Sequence, residues 1–327
     1  MYLKSIKRGF SLAKRFLEAG KKVLITGSSG FLGKALWQYL KKYGPGLRIY
    51  GLTRKRGSRD HDVFVCDFKN KRRVGLILEA IKPDYIFHCA GGRMAERKAL
   101  REANVVTTKC LLEAIRGMKR DWPRVIIPGS AAEYGKMPSG RRKIHESYRC
   151  VPLSVYGAVK LEQTSAALAS ARQGMDVVVA RIFNTMGERT PPALAAGRFA
   201  EQIARIEKGL SKAVIETKNL TGKRDFLDIG DVCSALWAVA RYGKSRQVYN
   251  VCSGRPVTVK KVLRKLLSLS KIRDIAVNEH KDDTSSSFDV IGSNAKLRSL
   301  SGWSAQVAME RSLKDTLDSY RGDRARG

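Results

Sequence analysis

The chain has 327 residues, with 63 lysines and arginines against 30 aspartates and glutamates, which gives a formal net charge of +33 when histidine is neutral. Hydrophobic residues make up 43% of the chain, enough for a folded core, so the composition excludes disorder of the whole chain. The length fits about two domains or one enlarged α/β domain, and no apolar stretch approaches the roughly 20 residues that a membrane-spanning helix needs.

The six cysteines are scattered along the chain and include no C-x-x-C pair. This usage is typical of reduced thiols in a cytoplasmic protein and indicates neither a disulfide framework nor a zinc site. We therefore expect a cytoplasmic location and no bound metal.

The first 20 residues form a basic amphipathic segment. Apolar side chains recur there at helical spacing, and basic residues interrupt them every few positions. We interpret residues 1–20 as a helix or arm that lies on the folded domain. Contact with a membrane surface or with a partner is an alternative, and a transit peptide is another. The apolar positions are Leu3, Ile6, Phe10, Ala13 and Leu17.

After Gly20, short strands rich in valine and isoleucine alternate with helical stretches. This alternation predicts a doubly wound parallel sheet of the Rossmann type. Beyond residue 183 it gives way to a smaller, loop-rich region. We predict a cofactor-binding domain over 21–183 with a later contribution from about 225–252. A discontinuous substrate-binding region is predicted over 184–224 and 253–320.

A glycine-rich turn follows the first predicted strand and opens the first helix. Its spacing is G-x-x-G-x-x-G, which differs from the general G-x-G-x-x-G fingerprint. Such glycines allow a tight turn and close approach of the backbone to a pyrophosphate, which the amino terminus of the helix attracts. The predicted dinucleotide contacts are Gly27, Ser29, Gly30, Phe31, Leu32 and Gly33.

The second strand ends in basic residues, at the position where an acid would bind the ribose of NAD. No carboxylate is present there, and Arg54 with Lys55 or Arg56 could hold a 2′-phosphate. NADP(H) is therefore favoured and NAD(H) remains possible; the alternative is an exposed basic turn. Asp67, at the end of the next strand, could accept a hydrogen bond from the adenine amino group; the alternative is a strand-end aspartate with no ligand.

Tyr156 and Lys160 stand four residues apart on one helical face. A phenol with a pKa of about 10 exchanges protons poorly at neutral pH unless a cation stabilises the phenolate, and Lys160 can supply that cation. Upstream, Ser130 ends a predicted strand and could hydrogen-bond a substrate oxygen. A Tyr-x-x-x-Lys spacing is common by chance. It indicates a catalytic pair here because it follows the glycine-rich turn and the strand-end serine in the chain.

These motifs resemble the extended short-chain dehydrogenase/reductases that act on nucleotide sugars. The resemblance covers about residues 21–270 and rests, in order, on TGSSGFLG, CDFKN, FHCAG, EANVV, IIPGSAAEYG, VYGAVK, RIFN, RDFLDIGDV and VYNVCSG. It implies Tyr156 as acid/base, Ser130 polarising the substrate oxygen, Lys160 binding the nicotinamide ribose and Asn104 supporting the lysine. The resemblance also implies cofactor contacts by Phe68, Ala90, Tyr156, Lys160 and Ile182. For the substrate it implies Ser130, Asn184 and Arg224, the last at the pyrophosphate.

Within that family, dehydratases carry acidic groups directly after the reactive serine or threonine, whereas this chain has Ala131 and Ala132. Dehydration is therefore disfavoured. The later motifs resemble most the NADPH-dependent reductases of GDP-4-keto-6-deoxy-mannose and related sugar nucleotides. The alternative within the family is a 4-epimerase with tightly bound NAD.

The net charge leaves a different class open, a non-catalytic NADP-binding, membrane-associated or nucleic-acid-associated scaffold. The presence of all four residues with implied catalytic roles, Asn104, Ser130, Tyr156 and Lys160, argues against a scaffold. The absence of a nucleic-acid reader motif argues against specific nucleic-acid binding. We expect a nucleotide-sugar substrate, a homodimer as in relatives, and a weak contact with an anionic membrane that would make the protein peripheral to it.

Overall fold

The fold is given by a computed structural model that describes residues 18–54, 62–93, 96–119, 122–137, 143–280 and 289–322. The amino-terminal part alternates strands and helices as predicted. The strands are Lys22–Thr26 (β1), Arg48–Thr53 (β2), Val63–Val65 (β3), Tyr85–His88 (β4) and Arg124–Ser130 (β5). The helices are Phe31–Tyr43 (α1), Lys71–Ile81 (α2), Arg97–Arg101 (α3) and Thr107–Arg116 (α4), with a π turn at Glu102–Val106.

The carboxyl-terminal part contains more short elements than the sequence pattern predicts. A single 3-10 turn, Ala131–Glu133, follows β5. The later strands are Val177–Ile182 (β6), Asn184–Met186 (β7), Val214–Lys218 (β8), Lys223–Asp228 (β9), Val248–Val251 (β10), Pro256–Thr258 (β11) and Ala276–His280 (β12). The later helices are Val155–Arg172 (α5), Ala195–Glu207 (α6), Ile229–Tyr242 (α7), Val259–Ser268 (α8), Ala295–Ser301 (α9) and Met309–Arg321 (α10).

The central sheet has seven strands in the order β10-β6-β5-β4-β1-β2-β3 and is parallel. This order reverses direction between β1 and β4, which is the arrangement of a Rossmann fold. The prediction of a doubly wound parallel sheet is confirmed. Val23, Leu24 and Ile25 of β1 are fully buried, because a strand covered by helices on both faces of a parallel sheet has no solvent side.

The chain divides into two compact units, and the division falls inside β5 and β6. The first unit comprises residues 1–128, 162–179 and 244–247, and the second comprises 129–161, 180–243 and 248–327. The predicted boundary between a cofactor-binding and a substrate-binding region lay instead at residue 183. That functional division stays a prediction.

The second unit contains two small sheets, β11-β9-β7 and β12-β8. An apolar cluster packs α6, α8 and α10 around Phe199, Ile203, Leu263 and Leu317, which are all nearly or fully buried. A partly buried ion pair joins α6 to α10, with Arg321 Nη2 at 2.7 Å from Glu207 Oε1. These contacts secure the carboxyl-terminal helix within the second unit.

Most of the basic amphipathic segment, residues 1–17, lies outside the described residues, so its interpretation stays a prediction. No helix among the residues that were described is long and apolar enough to cross a membrane.

Candidate active site

The glycine-rich turn lies in the first unit and leaves no room for side chains at two of its glycines. Gly27 has a φ of +66°, and a Cβ there would lie 2.7 Å from the backbone nitrogen of Ala90. At Gly33, in the first turn of α1, a Cβ would lie 2.2 Å from the carbonyl oxygen of Gly27. The turn and the helix are thus pressed together, and the amino terminus of α1 begins at Gly30 without a side-chain cap. Uncapped N–H groups in a bare backbone cradle fit a dinucleotide pyrophosphate.

The other predicted cofactor residues of the first unit lie at the ends of the neighbouring strands. Ser29 Oγ is 2.7 Å from Thr53 Oγ1 at the end of β2, and the Ala90 N–H donates to Thr26 Oγ1 at 3.2 Å. Arg54 follows Thr53 and is exposed, whereas Arg56 lies outside the described part of the chain.

Asp67 and Phe68 follow β3 in the same unit. The Asp67 side chain is exposed and accepts the Lys69 N–H at 3.0 Å. Phe68 is buried with its ring edge-on to His88. An exposed carboxylate beside a buried ring leaves Asp67 accessible to a ligand, so its predicted contact with adenine stays a prediction.

Asn104 occupies the centre of the π turn that joins α3 to α4. The side chain is buried, and its Nδ2 donates to the carbonyl oxygens of Gly92 at 3.0 Å and Leu100 at 2.8 Å. A π turn inserts one residue into a helix and is frequent at functional sites. Here the π turn places the polar amide of Asn104 on the buried face of the helical segment. The predicted support of Lys160 by Asn104 stays a prediction.

Ser130 is the last residue of β5 and caps the 3-10 turn that follows in the second unit. Its Oγ accepts a hydrogen bond from the Ala132 N–H at 3.2 Å, and its own N–H donates to Glu133 Oε1 at 2.7 Å. This reciprocal pair is a capping box. Because Oγ is already an acceptor, the hydroxyl hydrogen remains for donation to a ligand oxygen.

Tyr156 and Lys160 lie in the first turns of α5. Tyr156 is half-buried, and Lys160 is only 6% exposed. Between them, Gly157 has its Cα against the turn after Ser130, since a Cβ there would lie 2.3 Å from the carbonyl oxygen of Ala132. The residue next to Tyr156 thus contacts the residue two positions after Ser130. This close approach brings the predicted serine and tyrosine to one locality.

Burial raises the pKa of Tyr134, which follows this turn and is fully buried. Its hydroxyl donates to Asn250 Oδ1 at 2.7 Å, and the Arg181 guanidinium lies 4.6 Å from the ring centre. Arg181 in turn donates through Nε to Glu133 Oε2 at 2.7 Å. The turn after Ser130 is therefore joined to β6 by a buried ion pair and to β10 by a hydrogen bond.

The predicted substrate residues Asn184 and Arg224 lie on neighbouring strands, β7 and β9. Asn184 Nδ2 donates to the carbonyl oxygen of Asp225 at 3.1 Å. Arg224 is partly buried, and burial lowers its pKa although Asp289 opposes the shift. Ile182, predicted near the cofactor, ends β6 two residues before Asn184. Their contacts with a ligand stay predictions.

Asp225 was missed by the sequence analysis and is fully buried beside these residues. Its Oδ1 accepts the N–H and the hydroxyl of Ser253, both at 2.7 Å, and its Oδ2 accepts the Gly254 N–H at 2.7 Å. It thereby fastens the loop after β10 to β9. No local pattern indicates this, because the partners lie 28 and 29 residues away.

Glu133 was missed as well, although its signal was readable. A serine followed three residues later by a glutamate is the spacing of a capping box.

Among the residues that the structure describes, no group of three histidines, cysteines or carboxylates could hold a metal ion.

Comparison with known proteins places this geometry in a family. Residues 23–252 match the model of the NAD-dependent epimerase/dehydratase family. The chain belongs to this family. The matched residues include the glycine-rich turn, the π turn, the turn after Ser130, the helix with Tyr156 and Lys160, and β9 with Asp225. The elements of the candidate site described above therefore lie within the matched range.

Several relatives act on nucleotide sugars. The chain is 27% identical over 307 residues to the GDP-6-deoxy-D-mannose reductase of Pseudomonas aeruginosa, covering 92% of this chain and 97% of the relative. It is 24% identical to a UDP-glucuronate 4-epimerase of Thermodesulfobacterium geofontis, with coverages of 90% and 94%. Among solved structures, RMD from Pseudomonas aeruginosa complexed with NADPH has a TM-score of 0.81 at 25% identity, covering 92% of this chain and 99% of that one.

The contact between Gly33 and Gly27 predicts the effect of a single methyl group. We expect Gly33→Ala to weaken NADPH binding at least about tenfold and to destabilise the fold by about 1–3 kcal/mol, because the added Cβ must displace a backbone oxygen. Isothermal titration calorimetry and thermal unfolding would measure both effects. Gly75→Ala is the matched control, since its Cβ meets nothing within 4 Å in α2; it should gain about 0.5–1 kcal/mol and bind NADPH normally.

Asp225 predicts a pH dependence of stability. Burial raises its pKa to about 6, above the ordinary value of 3.8, although the bonds from Ser253 and Gly254 oppose the shift. Between pH 4 and 6 the folded state therefore binds more protons than the unfolded state, and stability falls as pH rises through 6. The free energy of unfolding relative to Asp225→Asn should rise by up to about 3 kcal/mol from pH 8 to pH 4. A difference between the two proteins that does not change with pH would contradict this.

Proposed function

We propose that the protein reduces the 4-keto group of a nucleotide-activated 4-keto-6-deoxy sugar of the GDP-4-keto-6-deoxy-mannose type, with NADPH as the reductant. The observation that carries this proposal is the turn after Ser130. It offers a hydroxyl donor followed by two alanines, and its one carboxylate, Glu133, has both oxygens engaged. Such a turn can polarise a carbonyl oxygen but cannot supply the extra acid and base that elimination of water requires.

The reactive roles follow from the chemistry of each side chain. NADPH, when bound, supplies a hydride to the carbonyl carbon. Ser130 donates its hydroxyl hydrogen to the carbonyl oxygen, and Tyr156 gives that oxygen a proton. Lys160, held in a buried position, stabilises the phenolate that Tyr156 becomes. Asn104, at the π turn, is proposed to support the lysine.

The cofactor is proposed to lie on the first unit's glycine-rich turn. Gly27, Ser29, Gly30, Phe31, Leu32 and Gly33 would hold the pyrophosphate, and Arg54 with Arg56 the 2′-phosphate. Asp67 and Phe68 would take the adenine, and Ala90 and Ile182 the remainder. The Pseudomonas relative in complex with NADPH supports this assignment. Asn184 and Arg224 would hold the sugar nucleotide, with the guanidinium at its pyrophosphate.

A homodimer is proposed through α4 and α5. An open groove of about 490 Å³ runs along these helices in the first unit. Its lining carries Lys109 and Arg116 beside Glu113 and Glu162, so the two signs of charge could pair across a two-fold axis. A weak contact with anionic lipid, through residues 1–20, stays a prediction.

The decisive assay offers the purified protein NADPH and a panel of 4-keto-6-deoxy sugar nucleotides with different bases. We expect one equivalent of NADPH to be consumed per sugar reduced, and Tyr156→Phe to abolish turnover while NADPH binds within a few fold of the wild type. A 4-epimerase would instead interconvert two hydroxyl sugars with no net loss of NADPH absorbance. Failure to reduce any 4-keto sugar nucleotide and to epimerise any 4-hydroxy sugar nucleotide would favour a non-catalytic scaffold.

Cofactor choice gives a second measurement. Replacing Arg54 and Arg56 together with alanine should weaken NADPH binding by about 100-fold, because two charge-assisted contacts to the 2′-phosphate are lost. NADH lacks that phosphate, so its affinity should change less than about threefold. Lys41→Ala on α1 removes a surface cation and serves as the control for charge alone. Equal losses for both cofactors would mean that the arginines are only surface charge.

A further inference from the structure

Glu133 is a buried carboxylate that the proposed proton and hydride transfers do not use. It is 0% exposed, and its partner Arg181 is 5% exposed. Oε1 accepts the Ser130 N–H and Oε2 accepts Arg181 Nε, each at 2.7 Å. A buried charge is costly unless its oxygens are satisfied, and here each oxygen has a partner with a different task.

The bond to the Ser130 N–H determines how the serine is presented. The backbone of Ser130 is held by Glu133, and its Oγ is held as an acceptor by the Ala132 N–H. The Ser130 N–H and an acceptor site of Oγ are thus both occupied, and the hydroxyl hydrogen is the group that remains to donate to an incoming oxygen. A hydroxyl oriented before the ligand arrives needs no reorganisation during the reaction.

Arg181 keeps Glu133 in place. Burial alone would lower the pKa of Arg181, but the Glu133 carboxylate and the Tyr134 side chain raise it above its ordinary value. The guanidinium also covers the Tyr134 ring, whose hydroxyl is tied to Asn250. The carboxylate is therefore fixed from the side opposite to Ser130.

We propose that Glu133 is a positioning residue that holds Ser130 with its hydroxyl hydrogen directed to the substrate oxygen, and that Arg181 acts through it. This inference rests on the proposed function. It assigns the glutamate a task in polarising the carbonyl, and no proton passes through it. A merely structural ion pair would stabilise the fold without changing the turnover of the folded enzyme.

The test compares two double variants that both remove the buried charges. Glu133→Gln with Arg181→Met keeps an amide oxygen for the Ser130 N–H, whereas Glu133→Met with Arg181→Met does not. Neither leaves an unpaired buried charge, which would be strongly destabilising. We expect the first to keep kcat within about fivefold of the wild type and the second to lose about 100-fold, the size of effect seen when one oriented donor is removed. The KM for NADPH should not change in either.

Two further readouts separate positioning from stability. Adding Ser130→Ala should cost the Glu133→Gln double variant about 100-fold in kcat and the Glu133→Met double variant almost nothing, because residues acting as a unit are not additive. Amide hydrogen exchange at Ser130 should stay slow in the first double variant and become fast in the second. Glu207→Gln with Arg321→Met removes a partly buried ion pair of the second unit as control; it should lower the Tm and leave kcat unchanged.

The possible outcomes are distinct. Equal kcat for the two Glu133 double variants, when Ser130→Ala alone is slow, would overturn the positioning role and leave the proposed function intact. Wild-type protein that reduces no sugar of the panel, or a Ser130→Ala variant as fast as wild type, would contradict the proposed function and this inference with it.

Discussion

The ion pair between Glu133 and Arg181 is the interaction on which the arrangement of the second unit's candidate site depends. It joins the turn after β5 to β6, and through Tyr134 and Asn250 it reaches β10. Asn250 itself donates its N–H to Glu146 at 2.8 Å. A chain of polar contacts in a dry interior is stable only when every member is satisfied. The consequence is that the strand ends bearing Ser130 and Ile182 are fixed by charge as well as by packing.

The sequence predicted the strands of the parallel sheet well because buried parallel strands are continuous apolar runs, as in β1, and their bounds follow from composition. It also placed the glycine turn and the Tyr156 helix. It could not predict β7, β11 or β12, which are short strands of three to five residues whose pairing depends on partners far along the chain. Asp225 belongs with them, since its bonds cross 28 residues. Glu133 is different, because the Ser-x-x-Glu spacing of its capping box is a local pattern that indicates the bond to the Ser130 N–H.

The net charge of +33 is only partly accounted for by specific contacts. Many described carboxylates have a cationic partner, as Glu102 has Lys69 and Glu162 has Arg101, yet cations outnumber acids two to one. On α8 the side chains of Lys260, Lys261 and Arg264 are exposed together. The proposed cofactor and substrate are both polyanions, so a positive field would raise their encounter rate at low ionic strength. That advantage would fade as salt screens charges beyond about 10 Å.

The π turn at Glu102–Val106 has a consequence for how this region can tolerate changes in length. A π turn amounts to one extra residue in a helix, so a single deletion there would convert it to regular α-helix without breaking the chain. Because the wider turn takes up that residue, the side chains of α3 and α4 would keep their faces after such a deletion. A deletion in the regular turns of α4 would instead rotate every side chain beyond it by about 100° and expose the buried face of the helix. The π turn is therefore the place in this helical segment where the loss of one residue should cost least in packing, and its main effect should be on the bonds from Asn104 to the Gly92 and Leu100 carbonyl oxygens.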